Sequence, residues 1–337
     1  MDNLALIQQA VEKSHLSVEQ TKQLFSSVVT GELGDINLSA LLIALKMKGE
    51  TPEEIAGAAL ALKDNALPFP DVNYSCSDNC GTGGDGTHTI NISTMSAIVA
   101  ASLGIKMAKH GNRSVSSKSG SADVLSELGI NVNMSPELAK KCLDETNLTF
   151  LMAPVYHSGI RHAMPVRQTL KMRTLFNVLG PLINPAGAQI QVVGVYDQSL
   201  LKPVAQALQL LGKKAAWVVH GSGMDEIALH GKTNVVQLKD NHLTEFELSP
   251  QDFGLASFQL EQIRGGSPKE NADNIHQVLS GHGQDAHNAA IIINTAPLLL
   301  LNGLANELKQ AANIVRDQLS SGKATATLER FVQLSNS

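Results

Sequence analysis

The stretch "LPFPDV", Leu67 to Val72, divides the 337-residue chain into two parts with different hydrophobic periods. Ahead of it, residues 1 to about 66 read as helices only. Ser17 with Gln20 resembles a capping box before Leu24, Phe25 and Val28, and Gly31 supplies a stop. A second helix, Ser39 to Lys48, ends at Gly49. Thr51, Pro52 and Glu54 then give an N-cap, an N1 proline and an acid at N3, starting a helix that runs through Leu62. One face of these helices is rich in leucine and alanine and needs a partner surface. The two prolines of the dividing stretch read as a linker.

From about residue 73 short apolar runs alternate with helical segments, the pattern of an α/β domain. The expected strands are Ile105 to Ala108, Thr149 to Ala153, Ile190 to Val195 and Ala216 to His220, with a helix opened by Ser135 and Pro136. "HGKTN" reads as the turn of a meander from about Ile227 to Leu248. Pro165 to Gly180 is helical in period again and is expected to fold back onto the N-terminal helices. At this length one ordinary core is exceeded. The expected fold is therefore a large α/β domain with a mainly β-sheet core flanked by helices, plus a smaller all-α domain. The small domain takes residues 1–68 and about 163–182, the large one 73–160 and 185–337.

A formal net charge of -5 gives no general attraction to nucleic acid or an anionic membrane, so a small-molecule ligand is favoured. Met1 to Gln9 lacks a signal-peptide pattern and no apolar run is of membrane-spanning length, so a cytoplasmic location is expected. Three cysteines, Cys76, Cys80 and Cys142, read as free structural thiols, because their spacing is poor for zinc.

"DNCGTGGDGTHTINIST", Asp78 to Thr94, holds four glycines and five hydroxyl residues in seventeen positions. Gly81, Gly83 and Gly84 let backbone N–H groups approach an anion closely. Asn91, Ser93 and Thr94 fall at the start of the apolar helix Met95 to Leu103, where unpaired N–H groups favour negative charge. No Gly-Lys-Ser/Thr ends the stretch, so it is not a P-loop, and the glycine spacing is not that of the dinucleotide fingerprint. A second stretch, Lys106 to Ser121, carries Lys106, Lys109, Arg113 and Lys118 with His110 and several hydroxyls, and no acid before Asp123. Two anion cradles so close together suit a pyrophosphate or a bisphosphorylated sugar.

Two further features bear on a ligand. Thr146 to Tyr196 contains no Asp or Glu, yet holds His157, Arg161, His162, Arg167, Lys171 and Arg173. An arginine without a partner there is a good carboxylate clamp. In "HGSGMDEIAL", His220 to Leu229, adjacent Asp225 and Glu226 follow a glycine turn after a strand, which suits a hard cation shared with substrate phosphates.

In combination, "CGTGGD" at Cys80 to Asp85, "NIST" at Asn91 to Thr94, "KHGNRSVSS" at Lys109 to Ser117, "RTLFNVLGPLINPAG" at Arg173 to Gly187 and "GMDE" at Gly223 to Glu226 resemble the anthranilate phosphoribosyltransferases, in order and over nearly the whole chain. The resemblance implies transfer of 5-phosphoribosyl from phosphoribosyl pyrophosphate to the amine of anthranilate, on the route to tryptophan. It implies a donor site at Gly81, Gly83, Gly84, Asp85, Thr89, Asn91, Ile92, Ser93 and Thr94. Lys109, His110, Gly111, Asn112, Arg113, Ser114, Ser116, Ser117 and Ser121 complete it. Ser93, Asp225 and Glu226 match the family's Mg2+ ligands. Gly81, Asn112 and Arg167 match its anthranilate contacts, with His110 and His157 along the acceptor's path. The helical unit is implied to be a homodimer surface. Two positions depart from the family: His157, Ser158 and Gly159 stand where His-Pro-Ala is frequent, and Ser121 where Ala is also common.

Displacing pyrophosphate from the ribose builds negative charge on the leaving group, so Mg2+ and N–H donors there stabilise the transition state most directly. An aromatic amine is neutral at pH 7, so no catalytic acid or base is required. A pyrimidine nucleoside phosphorylase is the nearest alternative, but it carries His and Ser where Asn79 and Cys80 stand here. A non-enzymatic nucleic-acid-binding relative is the other, and the net charge opposes it.

Overall fold

The computed structural model describes residues 2–114 and 118–337. Four helices open the chain: α1 (Asn3–Val11), α2 (Val18–Val29), α3 (Asp35–Lys48) and α4 (Pro52–Asp64). The capping boxes at Ser17 and Thr51 are both formed. A buried ion pair, Lys48 Nζ to Glu54 Oε2 at 2.5 Å, ties the end of α3 to the start of α4. Glu54 also accepts from the N–H groups of Leu16 and Thr51, so the segments leading into α2 and α4 meet the end of α3 at one carboxylate.

After the linker come β1 (Ser77–Asp78), α5 (Ile92–Ser102), β2 (Met107–Gly111), α6 (Ser121–Glu127), α7 (Pro136–Thr146) and β3 (Leu148–Met152). Three short helices follow, α8 (Ala153–Tyr156), α9 (Met164–Leu170) and α10 (Phe176–Leu179). Then come β4 (Ile190–Gly194), α11 (Leu201–Leu210), β5 (Ala215–Gly221), β6 (Thr233–Lys239) and β7 (His242–Leu248). Helices α12 (Pro268–Leu279), α13 (Asp285–Leu301), α14 (Leu308–Ser320) and α15 (Lys323–Ser335) close the chain.

The strands form one sheet in the order β3-β2-β1-β4-β5-β6-β7, parallel through β5 and antiparallel beyond it. From β1 the chain builds outward to β3, then returns to place β4 on the other side of β1. A crevice therefore opens beyond the carboxyl ends of β1 and β4, the usual ligand position in open parallel sheets.

Alternation along each strand sends side chains to two cores. Val192, Trp217, Val219 and Val235 join α5 and α13 on one face, whereas Val193, Val195, Ala216, Val218 and Val236 join α4 and α11 on the other. The leucine- and alanine-rich faces of the N-terminal helices thus find their partner in the sheet itself as well as in each other.

Three expectations need correcting. Pro165 to Gly180 is not one helix: α9 stops where Lys171 turns left-handed at φ 49, and α10 restarts at Phe176. Burying Leu175, Phe176 and Leu179 in the helical core while Arg173 reaches outward overrides the helical period. The segment does pack on the N-terminal helices. The turn in the meander is Asp240-Asn241, both at positive φ, and not "HGKTN", because Ile227 to Leu229 packs as coil against α13 and β6 starts only at Thr233. β2 begins two residues later than Ile105 and carries Lys109 and His110 within it.

Candidate active site

The glycine stretch leaves β1 at the crevice, and its first acid stays behind as a structural anchor. Asp78 is buried and accepts from Asn184 Nδ2 at 2.8 Å and from the His110 N–H at 3.3 Å, which locks β1 to β2 and to the segment before β4. Burial pushes its carboxyl above the usual range. Gly83, Gly84 and Gly86 then take φ of 66, 77 and 80°, which turns the chain in a way an L-residue adopts poorly. Asp85 accepts from Thr87 N at 3.0 Å and Thr87 Oγ1 at 2.8 Å and so closes the turn.

Asp225 and Glu226 meet this turn from β5. Ser222 and Gly223 form a tight hairpin, φ 48 and 97, with Gly221 and Met224 exchanging hydrogen bonds of 3.0 Å. Asn294 of α13 clamps the returning chain through Ile227, donating to its carbonyl at 3.1 Å and accepting from its N–H at 2.8 Å. Asp225 Oδ2 accepts from the Gly83 N–H at 2.6 Å, and the Asp225 N–H donates to Asp85 at 3.3 Å. A Cβ on Gly81 would stand 2.6 Å from Asp225 Oδ2.

Burial first, then Asp85, pushes the Asp225 carboxyl well above the usual carboxylate range. Burial first, then Asp225, does the same to Glu226, against the opposing pull of Lys109 and a hydrogen bond from the Ser93 backbone. Lys109 Nζ lies 3.2 Å from Ser93 Oγ and 3.3 Å from Asn79 Oδ1, while Asn79 Nδ2 donates to the Ser93 carbonyl at 2.7 Å. Two adjacent half-buried acids, each disfavouring the other's charge, with a serine at the rim, make an oxygen-only donor set that fits a hard divalent cation. Among the described residues no three His, Cys, Asp or Glu side chains form a cage by themselves.

The second cradle is held shut at its base. Asp123 accepts from the N–H groups of Ser114 and Gly120, both at 2.9 Å, and from Arg113 Nη1 at 3.0 Å. The acid that first breaks the basic run is therefore its clasp, and Arg113 is already engaged. Asn112 stays exposed, with its Oδ1 accepting from the Arg113 N–H at 2.8 Å. Ser121 starts α6 beside Gly111. Ser116 and Ser117 lie outside the described residues. Asn91 stands at the N-cap of α5, but its side chain serves the scaffold, bonding the Ser119 carbonyl at 3.3 Å and Asn271 Nδ2 at 2.7 Å. Ile92 and Thr94 turn their side chains into the interior, 2% and 1% exposed, so neither offers a side chain to a ligand in the crevice. Thr89 bridges to Arg264.

On the acceptor side, His110 and His157 are buried in edge-to-face contact, with ring centroids 5.4 Å apart. Nδ1 of His110 donates to the Gly180 carbonyl and Nε2 of His157 to the Ile183 carbonyl, each at 2.9 Å. Burial first holds both rings at about 4, so they are neutral at pH 7. Arg167 lies on α9, half-buried over the Phe176 ring at 5.3 Å, and forms no ion pair among the described residues.

Several residues of the site carried no individual signal in the sequence. Gly194 permits the acid-bearing loop's approach, Asn294 clamps it, and Asn184 fixes Asp78. Arg173 stood in the acid-free span but had no assigned partner.

Two family models match: glycosyl transferase family, helical bundle domain, over residues 4–66, and glycosyl transferase family, a/b domain, over 73–325. The chain is 54% identical to anthranilate phosphoribosyltransferase of Pseudoalteromonas translucida over 98% of this chain and 93% of that one. The Thermus thermophilus enzyme superposes with a TM-score of 0.94 at 37% identity, covering 98% of this chain and 99% of that one. The Saccharomyces cerevisiae enzyme in complex with PRPP and Mg gives 0.90 at 29%, covering 99% and 98%, and a further structure of it holds 4-fluoroanthranilate. The motifs, the switch-point crevice with its paired acids, and these likenesses together establish that the chain belongs to the anthranilate phosphoribosyltransferase family.

Proposed function

We propose that the chain transfers the 5-phosphoribosyl group of phosphoribosyl pyrophosphate to the amine of anthranilate, giving N-(5-phosphoribosyl)anthranilate and pyrophosphate. The observation that carries this reading is the half-buried Asp225-Glu226 pair set against the glycine turn at the crevice. Ser93, Asp225 and Glu226 would hold Mg2+, which neutralises charge on the pyrophosphate as it leaves. The backbone of Gly81, Gly83, Gly84 and Asp85, the hydroxyl of Thr89 and the N-terminus of α5 would cradle the phosphates. Lys109, held by Asn79 and Ser93, stands beside them. Asn112, Arg113, Ser114 and Ser121 border the second cradle.

Arg167 would bind the acceptor carboxylate, with Gly81 and Asn112 nearby on the donor side. His110 and His157, neutral and fixed by backbone carbonyls, shape the acceptor's path without exchanging a proton at pH 7. Holding a neutral amine against the anomeric carbon then supplies much of the remaining barrier reduction.

The same reading includes a homodimer through the helical unit. Leu4 and Val11 on α1, Ile36 and Met47 on α3 and Met164 on α9 are exposed by 57, 52, 86, 75 and 37%. They stand on helices packed side by side, so a second copy would cover one apolar face. No helix among the described residues is long and apolar enough to cross a membrane, and the acidic net charge opposes nucleic acid; we place the protein in the cytoplasm.

One assay tests the function. Anthranilate fluorescence should fall when phosphoribosyl pyrophosphate is added with Mg2+, and stay constant with excess EDTA. Constant fluorescence in both, with phosphorolysis of thymidine, would transfer the chain to the phosphorylase reading. For the dimer, sedimentation of Ile36→Asp/Met47→Lys should give monomers where the unaltered chain gives dimers.

A further inference from the structure

Arg173 sits in the connection between α9 and α10, exposed to solvent, and forms no ion pair among the described residues. The left-handed Lys171 turns the chain at the end of α9 and sends Arg173 across the crevice. There its guanidinium lies over the Tyr196 ring, 4.0 Å from the centroid, and Nη2 donates to the Gly84 carbonyl. Tyr196 is itself tied to the glycine turn, its N–H donating to Thr82 Oγ1 at 3.1 Å. Thr82 in turn donates its N–H to the Gly194 carbonyl at 2.9 Å.

From this geometry we infer that Arg173 is a positioning residue for the donor half of the site, a clasp that sets the orientation of the Gly84-Asp85 peptide. In a trans peptide the C=O and the following N–H point to opposite sides. Drawing the Gly84 carbonyl toward Arg173 therefore aims the Asp85 N–H to the other side of the turn. With glycines at φ 66, 77 and 80° around it, the turn has few intrinsic restraints on that peptide, so an external one is needed. The clasp also joins the two substrates' elements, because Arg173 and Arg167 belong to one segment. This inference rests on the proposed donor site.

Calorimetry with Mg2+ and phosphoribosyl pyrophosphate, alongside steady-state kinetics, tests it. Arg173→Gln is expected to weaken donor binding and raise the donor KM about tenfold, the loss of one charge-assisted hydrogen bond, with the anthranilate KM and the melting temperature unchanged. Arg173→Lys, which can donate but cannot stack as a plane, should recover part of the loss. Adding Tyr196→Leu to Arg173→Gln should cause little further change, since both act through one carbonyl. Donor affinity in Arg173→Gln equal to the unaltered protein overturns the clasp. So does an equal rise in both KM values together with a lower melting temperature. If the unaltered protein itself binds no phosphoribosyl pyrophosphate, the proposed function falls instead.

Discussion

Gly194 and Asp225 share one space: a Cβ on the glycine that ends β4 would lie 1.6 Å from the carbonyl oxygen of the acid. The acid-bearing loop can therefore reach the glycine turn only because β4 ends without a side chain. Gly194→Ala must push Asp225 away from the Gly83 N–H, now 2.6 Å distant. A displacement on the order of 1 Å at a reacting site costs about a hundredfold, so kcat/KM should fall by that much or more. Kinetics close to those of the unaltered chain would mean the loop can shift without cost.

Asp225 is held at a cost to the fold. Its carboxyl is raised by burial and by Asp85, so the free protein gains stability from this group as pH falls and loses it as pH rises through the raised value. Asp225→Asn imitates the neutral form. It should raise the melting temperature measured in EDTA while abolishing Mg2+-dependent donor binding, the exchange of stability for function expected where a site is strained. A lower melting temperature in EDTA would show that the acid contributes to the fold by itself.

Arg167 makes the acceptor prediction. Its guanidinium is desolvated over Phe176, which lowers its pKa, and no carboxylate among the described residues pairs with it. Arg167→Ala should raise the anthranilate KM roughly tenfold to a hundredfold and leave the donor KM near its starting value. Arg167→Lys should not rescue it, because a lysine cannot stack as a plane and donate in a fork. Equal effects on both substrates would remove Arg167 from the acceptor site.

The sequence announced the halves of this molecule more clearly than their junctions. The caps at Ser17, Thr51 and Ser135 are local, since each is satisfied within three residues, and all three form. The glycine stretch is local too: glycine permits positive φ, and Gly83, Gly84 and Gly86 take it while Gly81 does not. Lys171 is different: nothing local marks it as left-handed, and the break it makes depends on where Phe176 is buried and on what Arg173 reaches. Asp123 is another case: its place just past the acid-free basic run did not show that it folds back to pair Arg113. Gly194 and Asn294 act across long sequence separations and leave no pattern to read.

The last prediction concerns acid. His110 and His157 are buried, each with one ring nitrogen on a backbone carbonyl, and burial holds both at about 4, below the ordinary 6.5. Lys109 beside His110, and His110 beside His157, push the same way. A depressed folded value means that the unfolded chain binds more protons between 6.5 and 4. Stability from these groups is therefore complete above pH 6.5 and is lost as pH falls through 4. At about pH 5 each ring should account for on the order of 2 kcal/mol of lost stability. Urea unfolding of the unaltered chain and of His157→Asn at about pH 7.5 and about pH 5 isolates one share: the variant should lose less on acidification. Parallel losses in the two proteins would show that the ring is solvated enough in the fold to take up its proton, and that the acceptor side of the crevice is wetter than the buried pair implies.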